Sequence, residues 1–385
     1  MIPLLRARRA GALLKAVALG ALLSGCARAP EPPVHFAGAG RPAHLSDWHV
    51  LYRDGAKLVL NEHVVPYDLN TPLFSDYAHK LRTVWMPKGA VARYQGTASF
   101  DFPVGTILSK TFYYPRAADG QVKVLRTYDQ SQDFSGEGLN LSKVRLVETR
   151  LLVRREHGWE ALPYVWNAAQ TDAELARTGD EVLLELVAPG EPNEPFTYVV
   201  PNENQCAGCH VTDVSVKALE PLGLKARHLN RDYPYASGAE NELTHLTKVG
   251  YLTGLPPLSD VPRNANWRDT TQTLDARARA YLDVNCVHCH STTGPANTTG
   301  LSFDPAVATD RHLGVCKPPV AAGRGTGDHM IDIVPGHPDE SILPYRLAST
   351  EPGVMMPEQG RGTVHREGLA LIRDWIAAMP GACGA

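Results

Sequence analysis

The sequence predicts an α+β multidomain chain. An antiparallel β-rich amino-terminal domain, residues 44–200, is followed by two mainly α-helical domains, residues 201–263 and 264–385. Three observations predict this. Period-two apolar alternation and turn dipeptides crowd the first half. Helix-period stretches are confined to the second half. One five-residue cysteine frame occurs twice, once in each of the later segments. The 385 residues are 43% hydrophobic and 21% charged, which supports a packed core and excludes a disordered chain. With 38 Lys and Arg against 41 Asp and Glu, the net charge of −3 excludes a nucleic-acid binder.

Residues 1–25 form a targeting segment. Arg6, Arg8, Arg9 and Lys15 stand without any acidic residue, and an apolar run from Ala16 to Leu23 follows. No later apolar run reaches 18 residues, so no further membrane span is expected. The segment ends in Leu23-Ser24-Gly25-Cys26, which resembles the lipobox of bacterial lipoproteins. That resemblance makes Cys26 the acylated first residue of the mature chain. Ala27 rather than Asp after it implies the outer membrane, facing the periplasm. The leader holds four of the basic residues and none of the acidic ones, so the chain without it carries a net charge of −7. Residues 26–43, rich in Pro, Ala and Gly, are expected to be a tether.

The next region carries strand signals. Ile107, Ser109, Thr111 and Tyr113 alternate with Leu108, Lys110, Phe112 and Tyr114. Val147, Thr149, Leu151 and Val153 repeat with the same period, and apolar runs cover Val182 to Val187 and Phe196 to Val200. Asp54-Gly55, Asp119-Gly120 and His157-Gly158 supply turns. A short helix is expected over Thr171 to Arg177. His49, His63, His79 and His157 show no metal-ligand spacing, and no Ser-His-Asp frame, P-loop or dinucleotide fingerprint is present.

The cysteines carry the chemistry. Cys206-Ala207-Gly208-Cys209-His210 and Cys286-Val287-His288-Cys289-His290 share the frame Cys-x-x-Cys-His, the attachment signature of c-type haem. Two thiols three residues apart lie on one turn, each able to bond a haem vinyl, and the adjacent His supplies an axial nitrogen. From this chain's own composition, one such pentapeptide arises by chance about 0.005 times. Zinc would leave the two pairs about 80 residues apart, wider than common zinc modules, and does not require the His. A thioredoxin-like pair needs neither the His nor the duplication. Two covalently attached haems c are therefore expected, with Cys206, Cys209, His210, Cys286, Cys289 and His290 holding them. If lipid takes Cys26, Cys316 and Cys383 remain as an even pair in an oxidising compartment, and a disulfide between them is expected.

In the last segment, Leu274 to Val284 and Arg366 to Met379 have helical periodicity, with Thr363 a start signal for the second. Met356, directly before Pro357, is the expected sixth ligand opposite His290, with Met355 the alternative. Residues 334–357, from Val-Pro-Gly-His-Pro-Asp-Glu-Ser to Met-Met-Pro, resemble bacterial cytochrome c domains of the planctomycete type. Arg346 is a candidate partner for a haem propionate. The middle segment has no Met. Its sixth position admits bis-His ligation through His228 or His245, an open iron, or a Met from elsewhere such as Met86. A helix is expected around His245, from Leu243 to a stop at Gly250.

Across its length the chain resembles an uncharacterised family of bacterial di-haem c-type cytochromes, lipoproteins of the cell envelope. The resemblance rests on Pro66-Tyr-Asp-Leu-Asn-Thr-Pro-Leu-Phe-Ser-Asp-Tyr77, on Phe102-Pro-Val-Gly-Thr106 with Lys110-Thr-Phe112, on Glu148-Thr-Arg-Leu-Leu152, on Trp159 through Trp166-Asn167, and on the two haem motifs. It implies haem c, cytochrome c-like second and third domains, and electron carriage between periplasmic redox proteins, whose basic surfaces would suit this acidic chain. The rival expectation is a haem enzyme, a peroxidase or substrate oxidoreductase acting at the first haem. A sensory or structural role is a third.

Overall fold

The computed structural model describes Met1, residues 31–117 and residues 122–384. The leader from residue 2 to 25, Cys26 and the Asp119-Gly120 turn lie outside the described residues. Residues 33–385 form one compact unit.

Its centre is a six-stranded antiparallel meander. The strands are β1 (Val65–Tyr67), β2 (His79–Trp85), β3 (Ile107–Pro115), β4 (Val144–Arg155), β5 (Gly158–Trp166) and β6 (Ala173–Leu175). Each pairs with the next, so the spatial order is the chain order. Alternation along β3 divides two cores. Ile107 and Tyr113 join Leu81, Leu151, Leu162 and Tyr164 on one face, where Trp48 and a small sheet containing Leu58 and Leu139 cover them. On the opposite face, Leu108 packs with helical residues Leu229, Leu243 and Leu246. Phe112 and Tyr114 pack there with Leu184 and Tyr198 of a three-stranded sheet. Lys110 lies between these apolar neighbours, on the same face.

The β-rich expectation for residues 44–200 is met, with two corrections nearby. Ala173–Leu175, expected as part of a helix, is strand β6. Asn167 Oδ1 accepts from the Thr171 backbone N–H at 3.0 Å, and this turn returns the chain to pair with β5. Residues 34–43 of the expected tether lie on the body. Val34 and Phe36 cover the Trp48 core, and the Arg155 guanidinium donates to the carbonyls of Ala37, Gly38 and Gly40.

The later segments are not mainly helical. Residues 201–263 hold α1 (Glu203–His210), α2 (Ala226–Leu229) and α3 (Glu242–Lys248), together with a hairpin of Asp232–Tyr235 and Gly238–Asn241. Residues 264–385 hold α4 (Leu274–Cys286), α5 (Ile342–Ala348) and α6 (Arg366–Ala377), linked by long loops. Gly, Pro, Asn and Asp recur between Ser291 and Pro338 and favour turns over helix. Helix α4 is capped by Thr273, whose hydroxyl accepts from the Ala276 N–H at 3.2 Å. Thr363 does not cap α6; its hydroxyl donates to Asp76 at 2.8 Å instead. No helix among the described residues is long and apolar enough to cross a membrane.

The segments share packing instead of touching at edges. Leu252–Thr253 pairs in parallel with Ala92–Arg93. His365, before α6, stacks on Phe74 at 4.2 Å and bonds to the hydroxyls of Tyr128 at 2.8 Å and Tyr281 at 3.0 Å. Cys316 and Cys383 are joined by a disulfide with Cα atoms 5.2 Å apart, which holds the chain end beside the loop ahead of α5.

Burial, with Lys80 and Arg361 nearby, pushes the His365 imidazole down to about 3. It is neutral in the fold, whereas the unfolded chain takes up this proton near pH 6.5. Between those values the unfolded state binds more protons, so stability rises with pH and is lost as pH falls below about 6.5. Urea unfolding at pH 5 is expected to show a loss of about 1–2 kcal/mol from this side chain relative to pH 7. His365→Gln is expected to remove that share of the pH slope.

Candidate cofactor site

The first motif lies on α1. Asn202 and Gln205 cap the helix reciprocally, side chain to backbone N–H, at 2.8 and 2.9 Å. One helical turn then carries Cys206, Cys209 and His210 on a single short element. His210 Nδ1 lies 2.6 Å from the Glu220 carbonyl oxygen. A carbonyl only accepts, so Nδ1 carries the proton and Nε2 keeps a free lone pair. Burial and the nearby Lys110 push this imidazole down to about 3, so it is neutral.

The second motif begins on the last residue of α4. Cys289 N–H and His290 N–H both return to the Cys286 carbonyl, at 3.1 and 2.9 Å, adding one further turn. His290 Nδ1 is 3.3 Å from the Thr299 hydroxyl, which itself donates to the Ala296 carbonyl at 2.7 Å. The hydroxyl therefore accepts from Nδ1, and again Nε2 is left free. All four motif cysteines are unpaired thiols. Burial pushes Cys286 and Cys289 up to about 12 and raises Cys206 and Cys209 as well.

Each motif opens on its own cavity. The second, about 400 Å³, has Cys286, Cys289 and His290 on one side and Met356 among its other lining residues. Met355 does not line it, which separates the two methionines that sequence left as alternatives. Met356 is held by its backbone: its N–H donates to the Arg346 carbonyl at 3.0 Å, and its carbonyl accepts from Arg361 Nη2 at 2.9 Å. Arg346 lines the same cavity, with Nε donating to the Val354 carbonyl at 2.8 Å.

The first cavity, about 140 Å³, is a slot between α1 and the open face of the meander. Neither histidine proposed for its sixth position reaches it. His228 is 2% exposed and faces Asn264 Nδ2 at 3.3 Å and Asp283 at 3.8 Å. Asp283 itself is locked by two bonds to Arg227 at 2.7 and 2.8 Å. His245 stacks on Tyr235 at 3.5 Å and bonds to Glu240 at 2.9 Å. Met86 is buried in the core beside Tyr251, away from both cavities.

The wall facing α1 is a row of cations. Arg82 on β2, Lys110 on β3 and Arg150 on β4 are direct cross-strand partners, and all three line the slot. Arg82 bonds Asp68 at 2.5 Å, and Arg150 bonds Glu148 at 2.5 and 2.8 Å. Lys110 has no carboxylate within 4 Å among the described residues. Burial, with Arg150 and Arg82 alongside, pulls its ammonium down to about 7. Sequence reasoning missed this wall. The signal available was a lysine inside the strand pattern Leu108-Ser109-Lys110-Thr111-Phe112, on the parity of its apolar residues.

The cavities are neighbours. Cys209, Asn285, His288, Pro357 and Gln359 line both. Cys289 Sγ lies 3.7 Å from the Gly208 carbonyl oxygen, and the Val214 N–H donates to the Thr293 carbonyl at 3.0 Å. Gly208 packs closely on the strap: a Cβ there would stand 2.9 Å from the Gln359 side-chain oxygen, and the end of that side chain would have to move.

The donor set fits two covalently attached haems. Each cavity has a thiol pair and a neutral imidazole with a free Nε2, and the second adds a thioether. Arg361 is 8% exposed and lines the first cavity with its Nε unpartnered, an orphan donor that a propionate would satisfy. Zinc fits less well: among the described residues, no three His, Cys, Asp or Glu converge. The raised thiols also lack the thiolate character of a redox pair.

Two outcomes are expected from this geometry. With haem attached at both motifs, Met356→Ala should abolish a red-edge Met-to-iron charge-transfer band and lower one haem potential by more than about 100 mV, measured by spectroelectrochemistry. Arg361 also donates to the Ser349 carbonyl at 2.7 Å and the Thr363 carbonyl at 3.0 Å. Arg361→Met should therefore destabilise the protein by about 2–4 kcal/mol in urea unfolding and weaken the same band. Comparisons with family models, curated proteins and solved structures find no match for this chain, which leaves the geometry of these two cavities to carry its function.

Proposed function

We propose that this protein is a di-haem c-type cytochrome, lipid-anchored through Cys26 on the periplasmic side of the bacterial outer membrane, that carries single electrons between envelope redox partners. One observation carries the proposal: two Cys-x-x-Cys-His motifs each open on a cavity, and the two cavities share a wall. Haem supplies reversible one-electron chemistry at iron when bound. The chain's own residues do the rest. Cys206 and Cys209, and Cys286 and Cys289, would hold the two groups by thioether bonds. His210 and His290 would ligate through Nε2, their orientation set by Glu220 and Thr299. Met356 would complete the second site and raise its potential, because a thioether favours the reduced metal. The apolar lining of the second cavity, including Leu301, Phe303 and Leu347, would limit water beside a bound haem and the reorganisation that accompanies electron transfer.

The net charge of −7 on the chain without its leader favours a basic partner, with association that slows as ionic strength rises. A haem enzyme at the first site would need an acid–base group above the iron. The two histidines expected for that task are turned to Asp283 and to Glu240, which supports the carrier.

The test is expression in a host competent for cytochrome c maturation. The purified mature protein is expected to gain the mass of two haems and show two one-electron waves in a redox titration. Cys206→Ser with Cys209→Ser, and Cys286→Ser with Cys289→Ser, should each remove one haem and one wave. A colourless product with the mass of the bare lipidated chain overturns the proposal. Rapid peroxide turnover by the di-haem protein would move the assignment to the enzyme.

A further inference from the structure

We propose that the side-chain amine of Lys110 is the sixth ligand of the iron held at His210. The inference rests on the di-haem reading above and names what closes its first site.

The slot is bounded by α1 on one side and by the meander face on the other. A metal at His210 Nε2 therefore faces the row of Arg82, Lys110 and Arg150. A guanidinium has no lone pair to offer a metal. Both arginines are, moreover, already bonded to their own carboxylates, Asp68 and Glu148. Lys110 stands between them without one. A half-buried ammonium flanked by two cations on adjacent strands is costly when the neighbouring carboxylate, Glu148, is bonded to Arg150 and not to it. The cost disappears if the nitrogen is a neutral amine, and a neutral amine carries one lone pair.

Other donors are poorly placed. Tyr67 lies on the edge strand β1, and burial raises its phenol, so it stays protonated. His288 also lines the slot, but on the wall shared with the second cavity and not on the meander face across from α1; as an imidazole it would give a bis-imidazole signature. No methionine lines the slot. Lys110 is fixed from both sides, by ladder pairing with β2 and β4 and by its ammonium lying 5.3 Å over the Phe112 ring. On ligation the ammonium loses one proton to solvent, and the resulting amine forms one Nζ–iron bond through its lone pair; no electron moves.

The experiment compares the wild type with Lys110→Ala and Lys110→Arg, all as the full di-haem protein, with haem content measured first. The ferric wild type is expected to be low-spin at both irons. Its near-infrared magnetic circular dichroism should show one His/Met and one His/amine band, and it should bind no carbon monoxide when reduced. Lys110→Ala should turn one iron of the two high-spin and take up one carbon monoxide per chain. Lys110→Arg keeps the charge but cannot ligate, so it should behave like Lys110→Ala. If Lys110→Arg instead matches the wild type, Lys110 is only a propionate partner and the proposal falls. A bis-imidazole band, or one high-spin iron in the wild type, overturns it too, and both leave the two-haem reading intact. Absence of haem from the wild type overturns the reading and the inference together.

Discussion

The strap from Met356 to Thr363 is the constraint on which both cavities depend. Asp76, 3% exposed and near the start of the central sheet, accepts from the backbone N–H groups of Gly362 and Thr363 and from the Thr363 hydroxyl, at 2.7–2.9 Å. A few residues earlier, the Arg361 guanidinium gathers the carbonyls of Ser349, Met356 and Thr363. The strap is thereby tied at one end to the meander and at the other to its own loop. Between the ties, Met356 and Glu358 face the second cavity, Gly360 and Arg361 the first, and Pro357 and Gln359 both. A buried carboxyl group with three donors is a strong and directional anchor, because any displacement leaves its oxygens unsatisfied in a buried environment.

This arrangement explains why a β-rich region accompanies two cysteine motifs. The segment carrying the first motif has three short helices and a hairpin, too little to enclose a large flat group. The meander supplies the missing wall. Its face is apolar at Leu108, Leu152 and Phe112 and cationic at the middle row, and the apolar part is continuous with the core that includes α2 and α3. Such a surface would suit an anionic, mostly apolar group: Leu108, Leu152 and Phe112 offer it hydrocarbon, and the row of Arg82, Lys110 and Arg150 offers it positive charge.

Much of this was legible before the fold. The motif cysteines and histidines follow from spacing alone, and Met356 from its place before Pro357 and ahead of the last helix. The strand region was visible because alternation over Ile107–Tyr114 is long and regular. Three things were not legible, for identifiable physical reasons. Alternation says which residues share a face, but not which neighbour covers it, so Lys110 could not be assigned to a wall built with residues 206–210, about 100 positions away. His228 was offered as a ligand because it was local. Its burial beside Arg227 and Asp283 is a tertiary pairing that a single sequence does not reveal. The short helices of the last segments were overestimated because a haem motif suggests helices, whereas Gly, Pro and Asx turns occupy most of the intervening chain.

A shared wall also has an electrostatic consequence. Cys209, Asn285 and His288 line both cavities, and burial pushes the His288 imidazole down to about 4, so it is neutral. With only side chains of neighbouring residues between the cavities, a change of one unit of charge in one cavity would be felt in the second. Arg361 strengthens the link mechanically. Its Nε, without an acceptor, belongs to the same planar group whose Nη2 holds the carbonyl of Met356. The two sites would therefore be coupled by charge and by a single guanidinium, and with haem at both motifs their potentials would belong to the pair more than to either motif.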